Sequence, residues 1–219
     1  MPARGRLVAL EGIDGCGKST QARALAEVLG ARLTHEPGAT PLGVSLRALL
    51  LAPDVPSPSH RAEALLMAAD RAEHVALVVE PVLAAGQWVV SDRYAGSTLA
   101  YQGYGRGLPV AELARLSAWA SGGLAADLSV LIDVSIETAA DRLAGLPGGA
   151  DRMERLGVDF ARRVRDGFLA QAAEDAAHWV VIDGSRSAEA ITAHIVEAVH
   201  ERLGEAPSAT VDDGPGALR

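Results

Sequence analysis

Eight residues near the start of the chain, Gly12-Ile13-Asp14-Gly15-Cys16-Gly17-Lys18-Ser19, follow the pattern glycine, four residues, glycine, lysine, hydroxyl. That spacing suits a polyphosphate. The glycines let successive backbone N–H groups curl round phosphate oxygens, and the helix that follows turns its positive end toward them. Lys18 then reaches the β- and γ-phosphates, the Ser19 hydroxyl takes Mg²⁺, and Thr20 continues the run into the helix. Of the 20 Lys and Arg residues, Lys18 is the only lysine, so every other cation is a guanidinium. A compact ammonium is needed here, where a planar fork does not suffice. A second cluster, Ser91-Asp92-Arg93-Tyr94, follows a short apolar run. At a strand end an aspartate can enter a Mg²⁺ shell, and the arginine beside it can fork onto a phosphate. Ser97, Thr98, Tyr101 and Gln102 crowd further hydrogen-bonding groups just beyond.

Apolar runs of strand length alternate with helical patterns throughout. Strands are expected at Arg6–Glu11, Ala31–His35, Trp88–Ser91, Leu128–Val134 and Trp179–Ile182. Helices are expected at Lys18–Leu29, Leu42–Leu51, His60–Ala85 with a kink at Pro81, Val110–Ala120, Ile136–Leu143, Val158–Ala177 and Ala188–Leu203. Leu128–Val134 is apolar on both faces, as an interior strand of a parallel sheet requires. The alternation predicts βαβ units in an α/β fold, a parallel sheet with helices on both faces. No composition shift marks a boundary within residues 1–203, read as one domain, and the Pro-, Gly- and Asp-rich segment 204–219 is expected to be disordered.

The 219 residues carry a net charge of −8 and one cysteine, and 49% are hydrophobic. One cysteine makes neither an intrachain disulfide nor a multi-cysteine zinc site, and the acidic balance argues against nucleic acid as partner. No apolar run reaches eighteen residues, and the opening residues lead straight into a strand without a signal-like segment, so no membrane span and a cytoplasmic location are expected. The chain contains no asparagine. That excludes the protein-kinase catalytic loop and the guanine-reading Asn-Lys-x-Asp motif, and with the latter a GTPase switch.

Several motifs in order resemble the bacterial thymidylate (dTMP) kinases. They are Glu11–Thr20, His35-Glu36-Pro37-Gly38, Ala68-Ala69-Asp70-Arg71, Asp92-Arg93-Tyr94, Ala100-Tyr101-Gln102, Ala126-Asp127-Leu128 and Asp151-Arg152-Met153-Glu154, spanning nearly all of the chain to about Leu203. The resemblance implies a P-loop kinase fold with five parallel strands and a short lid at about 144–152. It also implies transfer of the γ-phosphoryl of ATP to dTMP with Mg²⁺, and a homodimer. Position by position, Arg93 resembles the arginine that grips the acceptor phosphate, and Asp14 the acid near the sugar 3′-OH and the metal, which Ser19 and Asp92 would share. Arg71 and Gln102 are similar to the residues on the thymine edge. Tyr101 is similar to the tyrosine set against C2′, and Glu36, Pro37 and Ser97 border the same pocket.

Three positions depart from the family pattern. Met67 stands where a phenylalanine usually stacks on the base, and a thioether packs there more loosely. The lid segment 144–150 has no basic residue, so a transition-state cation must come from a flank: Arg142, Arg152 or Arg155. His35 replaces an arginine and reads as a strand-end residue in solvent.

Cys16 sits at a helix N-terminus, which favours the thiolate and would permit redox control, although a small loop-filling side chain is the preferred reading. Asp133 reads as a strand terminus, Arg162, Arg163 and Arg165 as a solvated face, and Arg186 as part of an adenine loop. The scattered histidines suggest no metal site. Two other functions remain open: a related nucleotide kinase with altered base choice, and a nucleotide-binding regulator with weak turnover.

Overall fold

The computed structural model describes residues 3–52, 56–145, 152–153 and 156–206. Five strands, β1 (Leu7–Glu11), β2 (Arg32–His35), β3 (Val89–Asp92), β4 (Leu128–Asp133) and β5 (Trp179–Asp183), form one sheet in the order β2-β3-β1-β4-β5. Every pairing is parallel, with Leu10 opposite Asp92 of β3 and Val130 of β4. The central strand β1 is buried along its whole length. Its alternate residues face two cores. Val8 and Leu10 join Ala22 and Leu25 of α1 (Lys18–Leu29) and Ile191, Ile195 and Val199 of α9 (Ala188–Leu203), while Leu7 and Ala9 meet Val75, Val79 and Leu83. The chain reverses its winding between β3 and β1. At such a switch point a crevice opens beyond the carboxyl ends of the strands, and Glu11 and Asp92 stand at its floor.

Between β2 and β3 run α2 (Pro41–Leu51), α3 (His60–His74) and α4 (Glu80–Ala84). The single helix read over His60–Ala85 is interrupted. Residues Val75–Val79 widen into a π-helical turn, with the Glu80 N–H bonded to the Val75 carbonyl, and Pro81 falls in the first turn of α4. Proline has no N–H to give, and its ring clashes one turn back. The wider turn and a fresh first turn absorb both problems, so the break precedes the proline.

After β3 come a short helix α5 (Ala95–Thr98) and a second π-helical run, Leu99–Gly105, on which α8 (Val158–Glu174) packs. Sequence patterning assigned no element there, because polar side chains and glycines conceal the helix. Next come α6 (Val110–Ala120) and α7 (Ile136–Ala144).

The face read as solvated is only partly so. Arg165 forms a two-pronged pair with Asp133, and both N–H groups used by Arg163 go to the Gly105 carbonyl, whereas Arg162 pairs with exposed Asp159. The Arg163 and Arg165 side chains reach beyond their own helix, which helical spacing cannot reveal. Residues 146–151, most of the segment read as a lid, lie outside the described residues, as do Arg155 and the tail beyond 206. Among the described residues no helix is long and apolar enough to cross a membrane.

Candidate active site

The loop from Gly12 to Gly17 joins β1 to α1 through backbone conformations that only glycine adopts without strain. Gly17 caps α1 at φ 100°, and at Gly15 (φ 81°) a Cβ would lie 2.3 Å from the Ala139 carbonyl oxygen. Lys18 is only 6% exposed; its Nζ donates to the Ile13 carbonyl at 2.9 Å and lies 3.8 Å from the Asp14 carboxylate. Ser19, in the first turn of α1, and Asp92, at the end of β3, meet at 2.5 Å between Oγ and Oδ2. The other Asp92 oxygen, Oδ1, is buried without a partner. Mg²⁺ takes one or two protein oxygens and fills its octahedron with water and phosphate. A hydroxyl beside a carboxylate with one unsatisfied oxygen fits that habit.

Arg93 follows β3 with φ 75°, a conformation that disfavours side-chain-bearing residues. Its surroundings over-determine it. Its N–H donates to the Leu10 carbonyl, the Ser91 hydroxyl donates to its carbonyl, and the next N–H, of Tyr94, donates to Glu11 Oε1. The guanidinium thereby reaches across to the loop, bonding the Gly12 carbonyl, Ser97 Oγ, the Asp14 carboxylate and the Tyr101 hydroxyl, and it lies over the Tyr101 ring. Burial raises the Asp14 pKa, but Arg93, Lys18 and the Tyr101 hydroxyl outweigh it and hold the carboxyl at about 2.

Glu11, the last residue of β1, is fully buried. Its carboxylate receives the N–H groups of Tyr94 and Ser97 and the Ser97 hydroxyl, which fixes the start of α5 under Arg93. Burial pushes its pKa from 4.5 to about 7 despite those bonds. Between these values the unfolded chain ionises the group and the folded chain does not. Stability is therefore fullest below about pH 4.5 and is lost as pH rises to about 7, by about 1.4 kcal/mol per unit. Glu11→Gln keeps the acceptor and cannot ionise. Urea unfolding at pH 4.5 to 8 should show the variant gaining on the parent up to about pH 7 and holding level above it.

A cavity opens from Arg93 and Asp14 toward α3, lined by Pro37, Met67, Asp70, Arg71, Ser97, Tyr101 and Gln102 among others. Glu63, Met67, Asp70, Arg71 and His74 recur at helical spacing along one stripe of α3. Arg71 is 2% exposed, and four of its five N–H groups are taken: two by Glu36 Oε2, one by Ser117 and one by the Tyr94 carbonyl. One Nη1 proton is left for the cavity. Fully buried His74 bridges Glu36 Oε1 and Thr34, so Glu36 is held between a guanidinium and an imidazole. Asp70 accepts the Gly38 N–H, and its second oxygen is buried and unpartnered.

Two of the three arginines read as flanking cations, Arg142 and Arg152, are tied back into the fold. Arg142 bonds the Cys16 and Gly184 carbonyls, and Arg152 bonds the Leu49 and Ala52 carbonyls at the end of α2. Arg186 is exposed and pairs with Asp183 beyond β5. The thiolate expectation for Cys16 is overturned. The side chain is buried, and desolvation raises its pKa against the pull of Lys18, so the thiol is a loop filler. His35 is exposed at the end of β2, where partial burial and Arg47 lower its pKa. The motif readings gave no role to the supports: Glu11, His74, Thr34, Glu63 and Arg106. Only Glu11 had a signal, its place directly before the glycine loop.

The thymidylate kinase family model matches residues 10–195. The chain belongs to the thymidylate kinase family. Thymidylate kinases of a Synechococcus species and of Cupriavidus metallidurans are 47% and 46% identical to it, over 91% and 90% of this chain and 98% of each relative. The crystal structure of thymidylate kinase from Ehrlichia chaffeensis superposes with a TM-score of 0.74 at 29% identity, covering 90% of this chain and 99% of that one. The likeness to that structure thus extends over most of this chain and nearly all of the other.

Proposed function

We propose that this chain transfers the γ-phosphoryl of ATP to dTMP, forming dTDP and ADP, in a single domain over residues 1–203 that works in the cytoplasm as a homodimer. The observation that carries this reading is the continuity of the glycine loop, through Asp14 and Arg93, with a cavity that reaches Gln102 and Arg71. An oxygen of the acceptor phosphate bonds to the γ-phosphorus as the bond to the β,γ-bridging oxygen breaks, and ADP leaves. Such a reaction needs positioning and charge neutralisation more than covalent help.

Each residue then has a defined task. The loop amides of 12–20, with Ile13 and Gly15 among them, cradle the ATP phosphates, Lys18 neutralises charge between β and γ, and Arg93 holds the acceptor phosphate. Asp14 keeps Arg93 in place and approaches the 3′-OH. Ser19 and Asp92, with Asp14 nearby, would hold Mg²⁺, which when bound would neutralise phosphate charge. Tyr101 closes the C2′ side, and Met67 lies on the base face with Glu36, Pro37 and Ser97 around it. Arg186 borders the adenine. Arg142, which already braces the loop through the Cys16 carbonyl, and Arg152 supply the remaining positive potential.

The homodimer is supported by an apolar groove between α3 and α6, lined by Ala64, Leu65, Leu113 and Leu116, with Trp119 left 83% exposed nearby. Coupled ADP release with ATP and Mg²⁺, offered dTMP, dUMP, UMP, dCMP, AMP and GMP in turn, tests the function. Turnover is expected to be highest with dTMP. Preference for another acceptor, or ATP binding without turnover, would sink the reading.

A further inference from the structure

Gln102 lies in the π-helical run Leu99–Gly105 and is almost fully buried. Its amide can hydrogen-bond a base in two opposite ways, because a rotation of the terminal torsion exchanges a donor for an acceptor. One neighbour removes the choice. Nε2 donates at 3.0 Å to Oε1 of Glu63, which is itself buried on α3. Arg106 closes on Glu63 with two N–H groups, Nε on Oε1 at 3.1 Å and Nη2 on Oε2 at 2.7 Å. In this two-pronged ion pair the Glu63 carboxylate only accepts hydrogen bonds. The amide nitrogen must therefore face Glu63, and the oxygen must face the other way. Among the described residues the Gln102 side chain bonds through Nε2 alone, and the residue lines the cavity.

We infer that Glu63, locked by Arg106, is a positioning residue that sets base choice by fixing the Gln102 amide with its carbonyl oxygen toward the nucleobase. The inference rests on the proposed function. Thymine and uracil carry an N–H donor at N3 beside the O4 acceptor, whereas cytosine has the reverse pair, an N3 acceptor beside an amino donor. A fixed acceptor at Gln102, next to the one free donor of Arg71, matches the first pattern and leaves unpaired groups against the second. Rejection by unpaired buried polar groups is the strong form of discrimination. Met67 and the other cavity walls would meet the base faces and the 5-position, whose substituent is independent of the hydrogen-bonding pattern at N3. Discrimination at N3 is therefore separable from discrimination at the 5-methyl.

The test is equilibrium binding of dTMP, dUMP and dCMP to the full chain, before and after Glu63→Gln. A glutamine at 63 can present either end of its own amide, so Gln102 regains both orientations. The dTMP-over-dCMP preference should fall about tenfold or more, the worth of one hydrogen bond gained or lost, while dTMP over dUMP stays within twofold. Since Glu63→Gln leaves Arg106 without a charge partner, E63Q/R106Q is measured beside it and should show the same fall. In a Gln102→Leu background, Glu63→Gln should cause no further fall. An unchanged dTMP/dCMP ratio in both variants overturns the inference and leaves the kinase reading intact, as does an equal loss of dTMP/dUMP, which would mark a general disturbance of α3. A parent protein that binds none of the three nucleotides overturns both.

Discussion

Replacing Lys18 with alanine should lower kcat for dTMP phosphorylation by about 10³ or more, the scale expected when a preorganised charge facing the transferring group is lost. The ammonium is buried and held by the Ile13 carbonyl, and it stands 3.8 Å from Asp14, so its position is set before any nucleotide arrives. Lys18→Arg should not restore the rate. A guanidinium is a wider, planar fork on a longer stem, whereas the ammonium here is buried and already bonded to the Ile13 carbonyl. Steady-state ADP release, with thermal unfolding as a check on folding, measures the effect. Activity within tenfold of the parent in Lys18→Ala would remove the lysine from phosphoryl transfer.

Arg93→Ala should raise KM for dTMP by about 10² and leave KM for ATP nearly unchanged, because charge-assisted hydrogen bonds to a monophosphate are worth about 1.5–3 kcal/mol. Two effects mix in that variant. The guanidinium is lost, and alanine inherits a backbone at φ 75° that suits it no better than arginine. Arg93→Gly separates them. It should recover stability relative to the alanine variant without recovering acceptor affinity. Asp14 would meanwhile lose the first of the charges that hold it at about 2, so its pKa should rise in both variants. An acceptor KM unchanged by either substitution would exclude Arg93 from the acceptor site.

The phosphate loop and the strand–helix alternation were legible because both are local. Gly12 to Ser19 are contiguous, and hydrophobic periodicity over ten residues reports one element at a time. Asp92 and Arg93 could be placed at a strand's carboxyl end for the same reason. The π-helical turns at Val75–Val79 and Leu99–Gly105 were not legible, since one residue more per turn leaves almost no trace in an apolar pattern. Nor was the scaffolding of the cavity: Arg71 with Glu36, and Arg106 with Glu63, are joined over 35 and 43 residues by tertiary packing alone. The thiolate argument for Cys16 failed, while its preferred loop-filling reading stood, because a helix N-terminus lowers a pKa only where solvent or a partner admits the charge, and this thiol is enclosed.

The solitary ammonium has a practical side. Lys18 is the only side-chain amine among 219 residues, and it lies 94% beneath the surface inside the phosphate loop. Reagents that acylate lysines, whether for immobilisation, biotin attachment or cross-linking to a partner, find no side chain on the outside of this molecule. What they do modify at position 18 they inactivate, and bound ATP would shield it. Attachment to a surface is better directed at carboxylates or at an engineered cysteine, because the native thiol is enclosed in the same loop.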